Sequence, residues 1–264
     1  TFMTNKLVDG GNIVVSAGYN EAVNGYPLNS VFGYRYVGKV QNQDQLDYYV
    51  DKYVGSNSIA LPANLRLGDH MYEDVNKDGK LTQDDLVFLG SDDPKYSFSF
   101  NFGCEWKGFD FNVHFQGAGK SSFFINGSTV FAFKDSQWGN VLGNLVANRW
   151  VDADTAAKLG IPANEDPNAS YPRLSYGGND NNQQKSTFWL KNGSYLRLKT
   201  LEVGYTLPKS IVNKIKFNNI RVFFIGTNLL TFAKFKEWDP ELGSSTGAEY
   251  PLSRVMTLGL TVNI

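Results

Sequence analysis

A chain of 264 residues is long enough for one large β domain or two ordinary ones, and a formal net charge of -1 excludes the basic excess that tracks a phosphate backbone, so no nucleic-acid partner is expected. Aromatic residues make up 14% of the chain, with 19 Phe, 14 Tyr and 26 Gly, a balance that suits pleated strands joined by turns. No run approaches the ~18 consecutive apolar residues of a spanning helix, and Thr1 to Asn20 has no secretory-signal pattern, which leaves only a strand-built membrane crossing open.

In chain order, a weak alternation at residues 12–19 and a clearer one at 31–39 predict the first strands. The long connection 40–94 holds Asp74, Asn76, Asp78, Gly79, Lys80 and Asp85, which fall at positions 1, 3, 5, 6, 7 and 12 of an EF-hand-like loop. Oxygens at alternate residues converge on a hard cation only if the chain turns sharply, which Gly79 permits; Lys80 would give its carbonyl, and Asp85 stands in the dockerin manner where Glu is usual. The spacing predicts a structural Ca²⁺ held by Asp74, Asn76, Asp78, Lys80 and Asp85, against the plainer reading of solvated Asx turns.

The strongest pattern follows. Tyr96, Phe98, Phe100, Phe102, Cys104 and Trp106 alternate with Ser97, Ser99, Asn101, Gly103 and Glu105; after Lys107-Gly108, Phe109, Phe111, Val113 and Phe115 alternate with Asp110, Asn112, His114 and Gln116. This predicts a hairpin with a tight turn. Cys104 reads as a small buried hydrophobe and His114 as a polar-face residue.

A long loop, 119–194, carries Trp138, Trp150 and Trp189. Strands are expected at 195–207, with a bulge or bend near Thr200 and Leu201 where the phase shifts, and at 219–230. A short link, 208–218, separates them, a longer one with Trp238 spans 231–253, and Met256, Leu258, Leu260, Val262 and Ile264 form the last strand's apolar face. Short and long connections alternate as in outer-membrane barrels, whose periplasmic turns are short and extracellular loops long. On that count Ile264 is periplasmic and residues 40–94 lie outside the cell.

Several phrases resemble the C-terminal half of SusC/RagA-like TonB-dependent transporters. They are Gly25-Tyr26-Pro27-Leu28-Asn29-Ser30 with Phe32-Gly33-Tyr34, Asp74-Val75-Asn76-Lys77-Asp78-Gly79, Pro94-Lys95-Tyr96 and Tyr171-Pro172-Arg173. Tyr195-Leu196-Arg197-Leu198-Lys199, Gly204-Tyr205-Thr206-Leu207-Pro208, Thr227-Asn228-Leu229-Leu230 and Asp239-Pro240-Glu241 follow in the same order. The resemblance implies an all-β fold, an antiparallel transmembrane β-barrel of about 22 strands around a plug, in the bacterial outer membrane. It also implies a SusD-like surface lipoprotein as partner, TonB as energy source, and import of oligosaccharides or peptides. Residues 1–264 are then the C-terminal part of that barrel; the plug and N-terminal strands are not in this stretch, and Ile264 stands where the family tends to end in an aromatic residue.

An enzyme is not expected: His70 and His114 are the two histidines, and neither lies in a nucleophile or metal motif; His70, beside Asp69, reads as a loop residue. Trp138, Trp150, Trp189 and Trp238 are open between stacking on sugars and packing the loops. Tyr96, Trp106, Phe109 and Tyr205 are expected in aromatic girdles beside membrane lipid. The rival reading is a soluble β-sandwich carbohydrate-binding module with structural calcium, in which a second sheet would cover the same apolar faces.

Overall fold

The computed structural model describes residues 1–9, 23–52, 65–133, 141 and 143–264; the strand expected at 12–19 and Trp138 lie outside them. In chain order the elements are β1 (Ser30–Gly33), β2 (Tyr36–Lys39), α1 (Gln43–Lys52), β3 (His70–Tyr72), β4 (Val87–Ser91), β5 (Tyr96–Trp106), β6 (Phe109–Gly119) and β7 (Ser122–Phe124). Then come α2 (Gly143–Asn148), α3 (Ala153–Leu159), β8 (Leu190–Asn192), β9 (Tyr195–Thr206), α4 (Lys209–Val212), β10 (Asn219–Ala233) and β11 (Val255–Asn263). Among the described residues no helix is long and apolar enough to cross a membrane.

Five long strands form one antiparallel sheet in the order β11-β10-β9-β6-β5. Its hairpin follows from local chemistry: Lys107 and Gly108 both have positive φ, 48° and 88°, the geometry that matches the twist of two paired strands. Registered pairs share a face, so one row runs Cys104, Phe111, Val203, Phe224 and Leu258, and the row two residues nearer the turn runs Trp106, Phe109, Tyr205, Val222 and Leu260. The opposite face presents Asn101, His114, Thr200 and Thr227, then Gly103, Asn112 and Glu202.

Nothing among the described residues covers the apolar face. Phe98 is 45% exposed and Leu258 78%, with Phe111 half-buried, so the second sheet that a sandwich requires is not there. Cys104 is exposed for the same reason, correcting its reading as a buried hydrophobe: alternation placed it on the apolar side, and nothing among the described residues packs against that side. At the turn end the Phe109 and Tyr205 rings lie 4.5 Å apart beside Trp106, while Tyr96 sits at the far end. These are the expected girdle positions.

The bulge expected in β9 is present. Lys199 has no partner in either ladder: His114 and Phe115 pair with Thr200 and Leu198, and on the other side Thr227 and Leu230 do the same. Glycines on this sheet make room for rings, as Gly117 does beneath Phe98 and Gly259 beneath Phe223, where an added Cβ would fall 2.4 Å and 2.2 Å from ring carbons.

Above the Tyr96 end the long connections pack into a cap. The β6–β9 ladder continues into it through β7–β8, so the cap grows directly out of the sheet. One core gathers Val31, Phe123, Phe124, Val130, Trp189 and Phe235, and a second gathers Tyr34, Leu65, Tyr72 and Leu81. Residues 31–39 do not make the single strand expected of them. β1 pairs with β4 and β2 with β3, because Tyr34 between them turns aside: its N–H donates to Lys185 O (2.8 Å) and its carbonyl accepts from Thr187 N (3.0 Å).

Candidate functional site

The polar sheet face carries two charged groups, one at each end. Near the tight turn, Arg221 of β10 donates from Nε to Asp110 Oδ1 (3.0 Å) and from Nη2 to Asp110 Oδ2, and Nη2 also reaches Glu202 Oε1 (2.6 Å). The fork spans β9 at Gly204, which registers with Asp110 on one side and Phe223 on the other and lies beneath the Arg221 guanidinium. A planar guanidinium binding one carboxylate at two points is held in orientation as well as in place.

Near the cap, Arg197 and Lys199, two residues apart and so on one face of β9, serve one partner loop. Arg197, 2% exposed, pairs with Asp239 and, from Nε, with Glu241 Oε2 (3.0 Å), while Lys199 Nζ reaches Glu241 Oε1 (2.7 Å). Asp239 also caps the short turn Pro240–Leu242, accepting from Glu241 N at 3.0 Å. The connection from β10 to β11 is thereby folded back and pinned to the polar side of the sheet. This pairing gives Asp239-Pro240-Glu241 a physical role that its spacing alone did not disclose.

Inside the cap Asp69 is fully buried and saturated. Arg173 meets it from Nε (2.8 Å to Oδ1) and Nη2 (3.0 Å to Oδ2), Asn179 and Asn182 donate to Oδ1 at 3.0 and 2.8 Å, and Arg66 N donates to Oδ2 at 2.9 Å. Burial pushes this carboxyl up, and Arg173 and the N–H donors oppose the shift. His70 is not the loop residue expected: it lies in β3, 1% exposed, with its ring against Phe188 (4.3 Å) and Tyr36 (4.9 Å). Burial holds its imidazole well below the usual range, so it is neutral.

Lys39 of β2 is buried beside it. Its ammonium donates to Ala169 O (2.6 Å), Pro167 O (3.2 Å) and Tyr36 Oη (3.3 Å) and lies over the Phe188 ring; burial lowers its pKa to about 8. Trp150 and Trp189 are core residues at 1% and 4% exposure, and Trp189 Nε1 donates to Asn182 O at 2.7 Å. Trp238 is half-buried, edge-on to Phe235 at 4.8 Å. For Trp150 and Trp189, packing the loops is the reading that holds, and neither offers a face to a sugar.

The structure brings Asp74, Asn76, Asp78, Lys80 and Asp85 into one loop turning at Gly79, which has φ 83°. Asp74 Oδ2 accepts from Gly79 N (2.9 Å) and Lys52 Nζ (2.8 Å); Asn76 Oδ1 accepts from Asp78 N and Asp78 Oδ1 from Lys80 N. The hydrogen bond from Lys52 holds the Asp74 carboxyl below its usual range. Asp85 is buried at the loop's close, accepting from Val75 N (2.8 Å) on Oδ1 and Thr82 N (3.0 Å) on Oδ2. Among the described residues no group of three or more His, Cys, Asp or Glu side chains is arranged to hold a metal ion.

No family model matches the chain. It is similar to TonB-dependent receptor P26 of Formosa agariphila, 26% identical over 98% of this chain and 26% of that one, and to TonB-dependent receptor P3 of the same organism, 24% identical over 90% and 22%. Among solved structures it is similar to the RagAB peptide transporter, with a TM-score of 0.63 and 22% identity over 91% of this chain and 23% of that one. The chain thus spans about a quarter of the length of the relatives it matches. Likeness to these TonB-dependent receptors runs along nearly the whole of the chain, and the chain shares the fold of the corresponding quarter of the RagAB peptide transporter structure.

Proposed function

We propose that these residues are the C-terminal part of an outer-membrane barrel that imports bulky nutrients, oligosaccharides or peptides, with energy from TonB and a SusD-like lipoprotein over its mouth. The observation that carries the reading is the two-faced sheet: an apolar side that no layer among the described residues covers, backed by a polar side with structured ion pairs. Hydrocarbon is the neighbour that stabilises the first, and water the neighbour that solvates the second. In this reading the cap lies outside the cell, and its saturated cores make it a rigid rim against which a lid and cargo dock. The polar face moves cargo without transforming it.

Fractionation of the full-length protein tests the reading. Recovery with the outer membrane, released only by detergent, is expected; recovery in the soluble periplasm would remove it. Loss of growth on oligosaccharides or peptides as sole nutrient, after deletion of the gene, would then separate the two cargo classes.

The 74–85 loop is the proposed calcium site of this rim. Supporting it are the Asp74, Asn76 and Asp78 oxygens that share one turn about Gly79; a cation bound there would displace the Lys52 ammonium from Asp74. Calcorimetric titration of chelator-treated protein should give heat with calcium, and its absence would count against a metal here.

A further inference from the structure

The short link between β9 and β10 exposes apolar and cationic side chains side by side. α4 and the 3-10 turn Asn213–Ile215 follow Pro208 directly, and from Leu207 to Asn219 the chain carries Lys209, Lys214 and Lys216 with no acidic residue. Ile211 and Ile215, four residues apart, are each half exposed, whereas Val212 between them is buried and anchors the turn. The three lysines are exposed.

This turn adjoins the aromatic row. Thr206 N donates to Gly108 O (2.7 Å), which sets the start of the link beside the hairpin turn, where Lys107 lies 4.9 Å over the Trp106 ring and Phe109 stacks near Tyr205. Aromatic rings of this kind occupy the headgroup level, so the link sits just beyond it, continuous with the uncovered apolar face. Isoleucines there reach back to acyl chains, and lysine stems lie along apolar surface while their ammonium groups extend to phosphates. An acid-free run of lysines beside exposed isoleucines fits an anionic lipid better than a neutral one.

We propose that the β9–β10 link is an anionic-phospholipid contact that fixes the height of this part of the barrel wall in the inner leaflet. The proposal rests on the membrane-spanning reading above. Each lysine strengthens the attraction to an anionic headgroup by roughly fivefold, so three together make a contact on the order of a hundredfold tighter for anionic lipid.

The test uses the full-length transporter in detergent, equilibrated with micelles holding equal phosphatidylglycerol and phosphatidylcholine, and the lipid retained after purification is quantified. The wild type should enrich phosphatidylglycerol. K209Q/K214Q/K216Q should lose that enrichment by about a hundredfold, K209R/K214R/K216R should keep it, and I211S/I215S should lower retention of both lipids. Barrel integrity is read separately from the heat-dependent gel mobility of each variant. Equal enrichment in the glutamine variant and the wild type overturns the proposal, as does displacement of the retained lipid by soluble glycerol phosphate at the same concentration, since headgroup chemistry alone would then suffice. Soluble periplasmic recovery without detergent defeats the membrane reading itself, while membrane recovery without enrichment defeats only this contact.

Discussion

Arg221 grips Asp110 across an intervening strand, and it does so directly over Gly204. Three strands are tied by one guanidinium: β6 through Asp110, β10 through Arg221, and β9 through both Gly204 beneath the fork and Glu202 beside it. The tie lies on the polar side just inside the tight turns, where the ladders begin. It therefore fixes register where a slip of one residue would turn the row of Phe111, Val203 and Phe224 toward the polar side.

Gly204→Ala tests the tie. A Cβ at that position would stand 2.5 Å from both Asp110 carboxylate oxygens and 2.6 Å from Arg221 Nη2, so the fork must open or the sheet must bend. The full barrel in detergent should lose about 1–3 kcal/mol toward denaturant unfolding. Unchanged stability would mean that the ion pair shifts aside at no cost and holds nothing in register.

Arg173→Met should loosen the cap without touching the sheet. The substitution keeps much of the side chain's bulk but leaves the Asp69 carboxylate fully buried with only neutral N–H donors, a loss of about 3–5 kcal/mol. Hydrogen exchange should accelerate across β3 and residues 179–190 while the amides of β5 and β6 keep their protection. Uniform acceleration through the sheet would show that cap and wall unfold as one unit.

The sheet was legible in the sequence and the cap was not, for one physical reason. Period-two alternation is a local property, so Tyr96 through Phe115 announced both strands, and the interruption at Lys107-Gly108 announced the turn. The β9 bulge was visible as a change of phase, displaced by a residue from Lys199, since alternation marks that a residue is extra without marking which. Asp69 and Arg173, by contrast, lie 104 positions apart, and nothing in either neighbourhood names the other. The break in residues 31–39 depends on Lys185 and Thr187 in the same way. The exposure of Cys104 was missed because a pattern tells which side chains share a face and not what lies against it. The aspartate loop was legible as a turn through its Asx spacing; the ammonium of Lys52 against Asp74 was not, because it arrives from a separate helix.

Two substitutions separate the fold of that loop from any metal it binds. Asp85→Ala removes a buried carboxylate that accepts from Val75 N and Thr82 N, and should cost about 1–2 kcal/mol even in chelator. Asp78 is exposed and accepts locally from Lys80 N, so Asp78→Ala should leave the melting temperature in chelator nearly unchanged and reduce the calcium heat. If Asp78→Ala titrates like the wild type, Asp78 is no ligand.

Lys39 makes the cap more stable as the medium becomes more alkaline. Its folded-state pKa of about 8 lies below the ordinary 10.5, so below pH 8 folded and unfolded chains both carry the proton and the folded state bears the cost of burying the charge. Between those two values the unfolded chain binds more protons than the folded one, and stability rises with pH by up to ~1.4 kcal/mol per unit from this group. Lys39→Met has no proton to release, so the difference in unfolding free energy, wild type minus variant, should climb from pH 8 to pH 10. Fluorescence of the buried Trp150 and Trp189 during denaturant titration reports it. A difference that stays flat over that interval would show that Ala169 O and Pro167 O hold the ammonium charged throughout.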